Sequence, residues 1–415
     1  MENIEVLKDK IKNRKAIVGI IGMGYVGEAL ADLVVKAGYK TIGFVRDEYK
    51  VKKINDKKIP NLKGSTDQGK LYECDVVLVC VQTPIHTDKK PDLSYIKAAT
   101  EQVRENIREG QLIVIESSIA PGTTRKIVYP ILEKSGLHAG EGYFLSFSPE
   151  RVDPGNPNFT LDQIPKVVAG IDEGSLNVAK EFYATILKRV VPVSSLEAAE
   201  LVKILENTYR LVNISLVNEI SEYSKKINVD IWEVINAAAT KPFGFMPHYP
   251  GPGIGGHCIP VDPYYLIDDA RERGIRLRLV EEAGKVNDTQ PVKVVKKAIT
   301  ILNQSSKKSA IQKVLLIGIS YKPDIDDPRE SPALKIWKLF EEKGIKVSFH
   351  DPYINQVNGV LSTELSLKTL GEHDIVIITT NHSNVDYEML ISTHMPVLDT
   401  RNVYNGNATS YVFKL

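Results

Sequence analysis

The sequence predicts an α/β protein in which two units with doubly wound parallel sheets are joined by a helical region. Apolar, strand-like runs alternate with helical patterns at both ends of the chain, an alternation that is typical of βαβ units. Residues 196–226, by contrast, contain no glycine or proline and repeat apolar side chains at helical spacing, which predicts one long helix. We therefore predict three domains, at residues 1–196, 197–303 and 304–415.

The first unit opens with a glycine-rich motif between a strand and a helix. An apolar run at 16–21 leads into Gly22-Met23-Gly24-Tyr25-Val26-Gly27, and helical spacing follows until Gly38. The three glycines suit a tight turn, the close approach of a pyrophosphate, and close packing of helix on strand. The motif predicts a Rossmann-like unit that binds a dinucleotide at the helix N-terminus. Gly22, Gly24, Tyr25, Val26 and Gly27 are its binding residues, and further strands are predicted at 41–45, 75–81 and 112–116.

One part of the dinucleotide fingerprint is missing. An acidic residue at the end of the second strand should bind the ribose 2′-hydroxyl, but Val45 occupies that position and Arg46 follows it. Arg46 could favour a 2′-phosphate, stack on adenine, or be a solvated charge at the strand end. The residues alone therefore leave NAD and NADP both open.

Beyond the long helix the pattern changes twice. Helical spacing continues to about 240, a glycine- and proline-dense loop follows at 247–256, and helical spacing resumes until about 303. A polar, aperiodic stretch at 304–309 predicts a linker. The alternation then restarts, with strands predicted at 313–317, 346–350, 374–379 and 397–399 and a helix at 333–343.

Composition excludes several classes of protein. Lys plus Arg total 53 and Asp plus Glu total 52, so the net charge of +1 argues against a dedicated nucleic-acid binder. The three cysteines have neither a disulfide framework nor zinc-site spacing, and we predict no metal site. The charged N-terminus does not resemble a signal peptide, and no apolar run approaches the roughly 18 residues of a membrane span. We expect a cytoplasmic enzyme with no membrane or nucleic-acid partner.

Two positions on the long helix are candidate catalytic residues. Lys203 and Asn207 are four residues apart and share one face of the helix. By spacing alone, a solvated face with the surface pairs Glu200–Lys203 and Glu206–Arg210 explains these residues better.

The cysteine at 258 is a candidate nucleophile. Cys258 follows a run of small residues, in a loop where backbone N–H groups can point at a ligand, and Asp262 lies four residues further on. A thiol beside backbone donors and a neighbouring base is typical of covalent catalysis. The alternative is a small residue buried in a tight loop. Cys74 and Cys80 lie in or beside an apolar strand, which predicts a role in core packing.

These motifs together resemble the UDP-glucose/GDP-mannose dehydrogenase family over nearly the whole chain. Shorter segments at 81–84, 117–124, 148–152, 199–210, 321–331 and 399–401 fit the family in order. The resemblance implies an NAD-dependent, four-electron oxidation of a primary alcohol to a carboxylate, with two cofactor molecules used in turn. It also implies a UDP-sugar substrate and a homodimer formed through the central helix.

The resemblance assigns roles to individual residues. Cys258 would capture the aldehyde as a thiohemiacetal and then carry a thioester, with a thiol pKa below the usual value of about 8.5. Lys203 and Asn207 would contact the oxyanion, and Asp262 would orient or activate water, with Ser118 and Glu150 nearby. Arg46, Thr83, Ser118 and Arg329 would join the glycine loop in binding the cofactor. The residues that would bind the UDP-sugar are Arg151, Val152, Lys203, Asn207, Arg210, Gly255, Tyr321, Lys322 and Arg401.

The substrate branch rests on the loop segments. The run before Cys258, with His257 directly preceding it, resembles the branch that acts on UDP-N-acetylhexosamines. Residues 241–245 resemble members that act on UDP-N-acetylglucosamine, so that sugar is favoured. UDP-N-acetylmannosamine and UDP-glucose are alternatives. A two-electron 3-hydroxyacid dehydrogenase and a non-catalytic nucleotide-sugar sensor are more distant ones.

Overall fold

The computed structural model describes residues 2–151, 159–304, 312–405 and 409–415. Val152 and most of the predicted linker at 304–309 lie outside the described residues. The chain divides into two compact units, residues 1–206 with 264–275 and residues 207–263 with 276–415. The α/β class with two parallel-sheet regions and a long helix is confirmed, whereas the three-domain boundaries stay a prediction.

The first unit contains an eight-stranded sheet in the order β3-β2-β1-β4-β5-β6-β7-β8. All neighbouring strands are parallel except β6 and β7, which are antiparallel. The strands are β1 (Ile17–Ile21), β2 (Lys40–Phe44), β3 (Leu62–Ser65), β4 (Val76–Val79), β5 (Gln111–Ile115), β6 (Tyr143–Phe147), β7 (Lys166–Gly170) and β8 (Val190–Pro192). The helices are α1 (Glu2–Lys12), α2 (Tyr25–Lys36), α3 (Glu48–Asp56), α4 (Ser94–Asn106), α5 (Tyr129–Glu133) and α6 (Glu173–Ala184).

Continuous apolar runs form the central strands because both faces of this sheet are buried. Val18 and Ile20 of β1 belong to one hydrophobic cluster, and Ile21 of the same strand belongs to the cluster on the other face. The four predicted strands correspond to β1, β2, β4 and β5. Strands β3 and β6–β8 were not predicted, since β3 and β8 are short and the antiparallel pair β6–β7 breaks the parallel pattern on which the prediction relied.

The long helix α7 (Leu196–Lys226) has the predicted bounds. It is followed by α8 (Ile231–Ala239), α9 (Asp262–Glu272) and α10 (Arg278–Gln304). Pro291 lies buried inside α10 without ending it, although a proline removes one helical hydrogen bond.

The second unit contains a five-stranded parallel sheet in the order β10-β9-β13-β14-β15 and a small hairpin of β11 and β12. Three of its strands have the predicted bounds, and the helix predicted at 333–343 begins one residue earlier and ends two earlier. The strands are β9 (Lys313–Ile317), β10 (Lys346–His350), β11 (Gln356–Val357), β12 (Val360–Leu361), β13 (Ile375–Ile378), β14 (Val397–Asp399) and β15 (Val412–Lys414). The helices are α11 (Pro332–Glu341), α12 (Leu367–Gly371) and α13 (Tyr387–Ser392).

Candidate active site

The predicted cofactor residues of the first unit lie after neighbouring strands of one sheet. The glycine motif follows β1, Thr83 follows β4, and Ser118 follows β5. Strands β1, β4 and β5 are adjacent and parallel, so their carboxyl ends lie at one edge. The chain order reverses between β1 and β4, and ligands of such sheets bind at this switch point.

The glycine loop fits a dinucleotide. Gly22 has a φ of +95°, a left-handed conformation that favours glycine. A Cβ on Gly27 would lie 2.1 Å from the carbonyl oxygen of Gly22, so the helix packs on the turn only without a side chain. Gly24 is the N-cap of α2, makes no side-chain cap hydrogen bond and faces open space. The first N–H groups of α2 are therefore placed as a phosphate site.

The end of β2 carries no carboxylate in the position that the fingerprint requires. Val45 is buried, and the next acid, Asp47, accepts a hydrogen bond from the backbone N–H of Lys50 and caps α3. The guanidinium of Arg46 lies 5.0 Å from the ring centroid of Tyr95, a cation–π distance. Arg46 is thus held by an aromatic ring of its own unit.

Glu150 belongs to a buried charged cluster that the sequence analysis missed. Lys166 Nζ pairs with Glu116, lies 3.5 Å from Glu150 Oε2, and donates to the carbonyl oxygen of Pro149 at 3.2 Å. The hydroxyl of Tyr183 donates to Glu116. Burial raises the pKa of Glu116 to about 7. Burial opposes the charge of Lys166, but the two carboxylates outweigh it and raise the pKa of the lysine.

The loop that carries Ser118 is held by a residue of α7. The buried carboxylate of Glu200 accepts hydrogen bonds from the backbone N–H of Gly122 and, at 2.9 Å, from that of Thr124. Burial raises the pKa of Glu200 to about 7. Glu200 therefore positions backbone rather than forming the surface pair with Lys203 that spacing favoured, and Lys203 itself is buried.

Arg151 also makes a contact that the sequence did not indicate. Its Nη2 lies 2.6 Å from Glu206 Oε1, and its Nη1 donates to the carbonyl oxygen of Pro165 at 2.8 Å. Glu206 therefore pairs with Arg151, while Arg210, its expected partner, is exposed on α7.

In the second unit, the structure brings Asn207 and Asp262 together. Asn207 Nδ2 donates to Asp262 Oδ2 at 2.6 Å, and both side chains are buried. Asp262 is the first residue of α9, and its N–H donates to the carbonyl oxygen of Cys258 at 2.8 Å. The acid thus connects the cysteine loop to the amide on α7.

Two asparagine side chains accept hydrogen bonds from backbone N–H groups of the segment that precedes Cys258. The N–H of Gly251 donates to Asn218 Oδ1 at 2.9 Å, and the N–H of Ile254 donates to Asn287 Oδ1 at 2.7 Å. A Cβ on Gly255 would lie 2.6 Å from Tyr321 Cβ, so the loop approaches this tyrosine as only glycine allows. Sequence reasoning missed both asparagines, which carry no motif.

Cys258 is the only exposed cysteine of the three. Burial raises the pKa of the Cys74 thiol to about 12 and that of Cys80 well above its usual value, so both remain neutral core residues. The packing role predicted for Cys74 and Cys80 is confirmed. The alternative of a buried residue at 258 is wrong.

The residues predicted to bind UDP follow neighbouring strands of the second sheet. Tyr321 and Lys322 follow β9, and Arg401 follows β14, with β13 between these strands. Arg401 Nε donates to the carbonyl oxygen of Thr379 at 2.8 Å. Burial lowers the pKa of Arg401 to about 10, which leaves the guanidinium charged at neutral pH.

A buried histidine–aspartate pair supports the turn after β9. Asp351 Oδ2 accepts from the backbone N–H groups of Ile319 and Ser320 at 2.7 and 3.1 Å. His382 Nδ1 accepts from the N–H of Asp324 at 3.0 Å, so its Nε2 carries the proton and donates to Asp351 at 3.1 Å. This pair fixes the segment that carries Tyr321, and nothing in the local sequence indicated it.

Within the described ranges, no group of three or more His, Cys, Asp or Glu side chains could hold a metal ion. Across the same part of the chain, no helix is both long and apolar enough to cross a bilayer.

The glycine loop at the switch point of the first sheet and the exposed thiol of Cys258 in the second unit indicate an enzyme that uses a dinucleotide. Comparison with family models agrees. Residues 16–187 match the NAD binding domain of the UDP-glucose/GDP-mannose dehydrogenase family, residues 197–289 match its central domain, and residues 315–406 match its UDP binding domain. The chain belongs to this family and is an NAD-dependent oxidoreductase.

Individual relatives cover nearly the whole chain. It is 34% identical to the UDP-N-acetyl-D-mannosamine dehydrogenase of Methanococcus aeolicus, over 96% of this chain and 94% of that protein. It is 30% identical to the UDP-N-acetyl-D-glucosamine 6-dehydrogenase of Pseudomonas aeruginosa, over 88% and 90%. The solved structure of the UDP-N-acetylmannosamine dehydrogenase of Pyrococcus horikoshii matches with a TM-score of 0.87 at 30% identity, over 96% of this chain and 98% of that one.

Proposed function

We propose that this protein oxidises the C6 alcohol of a UDP-N-acetylhexosamine to the carboxylate, through covalent intermediates on Cys258. The observation that carries the proposal is the cysteine loop. Cys258 carries the exposed thiol of this loop. The backbone carbonyl oxygen of Cys258 accepts a hydrogen bond from the N–H of Asp262, and the carboxylate of Asp262 accepts one from the side chain of Asn207. The sugar class comes from relatives named for UDP-N-acetylmannosamine and UDP-N-acetylglucosamine.

The reaction has two oxidations separated by a covalent adduct. When bound, NAD would supply the hydride acceptor, and each of the two oxidations would use a separate NAD molecule. After the first, the thiolate of Cys258 adds to the C6 aldehyde and forms a thiohemiacetal. Oxidation of that adduct leaves a thioester, and water cleaves the carbon–sulfur bond to release the carboxylate and the thiol. The alcohol loses four electrons in total, and the aldehyde is never released.

Asn207 is suited to stabilise the oxyanion of these intermediates. An amide has two N–H donors, and the contact with Asp262 uses one, so we propose that the other donates to a ligand oxygen. Removal of an oxyanion donor costs about 10²- to 10³-fold in kcat. Lys203, one turn earlier on α7, would supply a positive charge, and Glu150 and Asp262 would serve the hydrolysis step.

For the UDP moiety, we propose that Lys322 and Arg401 bind the diphosphate, with Arg210, Arg151 and Tyr321 as further contacts. Guanidinium groups pair well with phosphate because they donate two parallel hydrogen bonds. Arg401 is already oriented by its bond to the Thr379 carbonyl oxygen. Arg151 would have to break its ion pair with Glu206 in order to bind the substrate.

The preferred epimer at C2 is the open part of the proposal. Residues 241–245 favour UDP-N-acetylglucosamine, whereas the first six relatives are named for UDP-N-acetylmannosamine. The manno epimer is therefore the first substrate to test, and the gluco epimer is the second. Phe243 and Met246 are 71% and 63% exposed, so the loop forms no closed sugar pocket by itself.

The test is a substrate panel with counted cofactor. Purified protein is incubated with NAD and UDP-ManNAc, UDP-GlcNAc, UDP-glucose or GDP-mannose, and NADH is measured per sugar consumed. Two NADH per sugar are expected for one N-acetylhexosamine. One NADH would favour the two-electron dehydrogenase, and none with any substrate would favour a sensor. Cys258→Ser should abolish the four-electron reaction, while the control Cys74→Ala should retain the same stoichiometry.

We also propose a homodimer formed through α7. Leu216, Ile220 and Tyr223 are 50%, 42% and 65% exposed and lie at i, i+4 and i+7, so they form one apolar stripe on the helix surface. Light scattering should give a dimer for the natural protein and a monomer for Ile220→Glu, with Lys226→Glu on the same helix as control. A monomeric natural protein would contradict the proposal.

A further inference from the structure

We infer that His257 is a positioning residue that donates a hydrogen bond from Nδ1 to the thiolate of Cys258, in a tautomer imposed by Arg329 and Asp327. The inference rests on the proposed function in one respect, since it concerns the cysteine proposed as nucleophile. No motif singled out the imidazole for this role.

The geometry is a chain of four side chains within the second unit. The buried carboxylate of Asp327 accepts from Arg329 Nε at 2.8 Å and from Nη2 at 2.6 Å, which fixes the plane of the guanidinium. The third nitrogen, Nη1, lies 2.5 Å from His257 Nε2. On the other side of the ring, Nδ1 lies 4.0 Å from Cys258 Sγ.

The tautomer follows from the chemistry of the guanidinium, which has only donors and stays charged. His257 Nε2 must therefore accept, and it carries no proton. A neutral imidazole then has its proton on Nδ1, so the N–H is on the side of the sulfur. The side chain of His257 is exposed, but neighbouring protein atoms desolvate the ring in part, and this desolvation and the positive charge of Arg329 lower the pKa of His257, which favours the neutral ring.

This arrangement differs from a cysteine–histidine pair in which imidazole takes the thiol proton. Protonation of His257 would place a proton on Nε2 against Nη1 of Arg329, so the ring cannot act as the base for Cys258. It can only donate. A donor that meets the charged form of a thiol favours that form and lowers the thiol pKa.

The other charges of the second unit near this loop oppose a thiolate. Glu330 follows Arg329 in the same segment, Asp327 is paired with the guanidinium, and Asp262 is bonded through its N–H to the Cys258 carbonyl oxygen. Arg329 is the cation among them, and its charge is partly neutralised by Asp327. The loop carbonyl of Arg329 also accepts from the N–H of Gly256 at 3.1 Å, which ties the arginine segment to the cysteine loop.

The experiment measures the rate of alkylation of Cys258 by iodoacetamide against pH, on the full chain without substrate or cofactor. Cys74 and Cys80 are buried and have raised pKa values, so they do not contribute near neutral pH. Cys258→Ala gives the background. The midpoint of the profile reports the thiol pKa and needs no turnover.

His257→Leu should raise the alkylation midpoint by about one pH unit, a tenfold loss of thiolate near neutral pH. His257→Asn should retain most of the natural midpoint, because its amide can donate from close to the Nδ1 position. Arg329→Met frees Nε2 to be protonated, so the profile should gain a second ionisation near the histidine value of about 6.5.

The inference is wrong if His257→Leu leaves the midpoint unchanged, or if His257→Asn shifts it as far as His257→Leu does. It is also wrong if Arg329→Met adds no second ionisation. If His257→Leu does not fold, the Asn and Met variants decide the question. Turnover by Cys258→Ser would overturn the proposed nucleophile without affecting these profiles, so the two failures are distinguishable.

Discussion

Replacing Lys166 by methionine tests whether the buried cluster around Glu150 is held together by charge. The side chains of Lys166 and Glu116 are 6% and 0% exposed, so Lys166→Met removes a cation that solvent cannot replace. Removing one partner of a buried ion pair costs about 3–5 kcal/mol, because the remaining charge is left uncompensated. We expect a loss of that size in the free energy of unfolding at pH 8.

The pH dependence separates charge from packing. The folded pKa of Glu116 is about 7, above its ordinary 4.5, so its contribution to stability is complete below pH 4.5 and is lost as the pH rises through 7. The raised pKa of Lys166 keeps the lysine charged throughout this range. Without the lysine, whose charge lowers it, the pKa of Glu116 rises further. The deficit of the variant should therefore grow from pH 5 to pH 8, by at most about 1.4 kcal/mol per pH unit for one proton.

Urea unfolding at pH 5 and pH 8 measures this deficit, and Lys188→Met is the matched control. Lys188 lies 3.1 Å from Asp162 but is 68% exposed, so its removal should change little at either pH. The double variant Lys166→Met/Glu116→Gln removes a stranded charge and should recover part of the loss. An equal deficit at both pH values, or no recovery in the double variant, would refute the electrostatic account.

Three further substitutions have defined outcomes. Glu200→Ala leaves two buried N–H groups unpaired, at a cost of about 1–3 kcal/mol each, and denaturant unfolding against Glu200→Gln measures it. Gly255→Ala places a Cβ 2.6 Å from Tyr321 and should displace the cysteine loop, with about a 100-fold loss of kcat/KM in steady-state assays. Gly27→Ala places a Cβ 2.1 Å from the Gly22 carbonyl oxygen and should abolish NAD binding in calorimetry, and unchanged affinity would contradict the close packing.

Strands that are buried on both faces could be predicted closely from the sequence. Residues 313–317 and 397–399 form inner strands of the second sheet and have the predicted bounds, because an apolar run that is buried on both faces has no other place in the fold. The glycine motif could also be predicted, because the structural requirements on its three glycines all lie within one turn. Short edge strands such as Val190–Pro192 were missed, because pairing and not composition creates them.

The charged groups were harder to predict for a physical reason. Glu116 ends the apolar run of β5, and Glu200 lies on α7 among residues that the periodicity placed on a surface. A carboxylate in such a place has to find a partner, because burying it alone costs several kcal/mol. The sequence can therefore indicate that partners exist. It cannot identify them, since Lys166 is 50 residues from Glu116 and Gly122 is 78 from Glu200.

The chemistry proposed for Cys258 could be predicted only in part, because one of the contacts that bear on it joins residues that are distant in the sequence. The cysteine, the acid four residues later and the lysine and asparagine on α7 have local or helical spacing that a family motif preserves. In our inference the state of the thiol depends on His257, which contacts Arg329 at a distance of 72 residues along the chain. Such a contact has no local signature, because any side chain that donates to Nε2 would impose the same tautomer. The proposed nucleophile could thus be predicted from its neighbours in sequence, whereas the inferred contact with His257 required the fold.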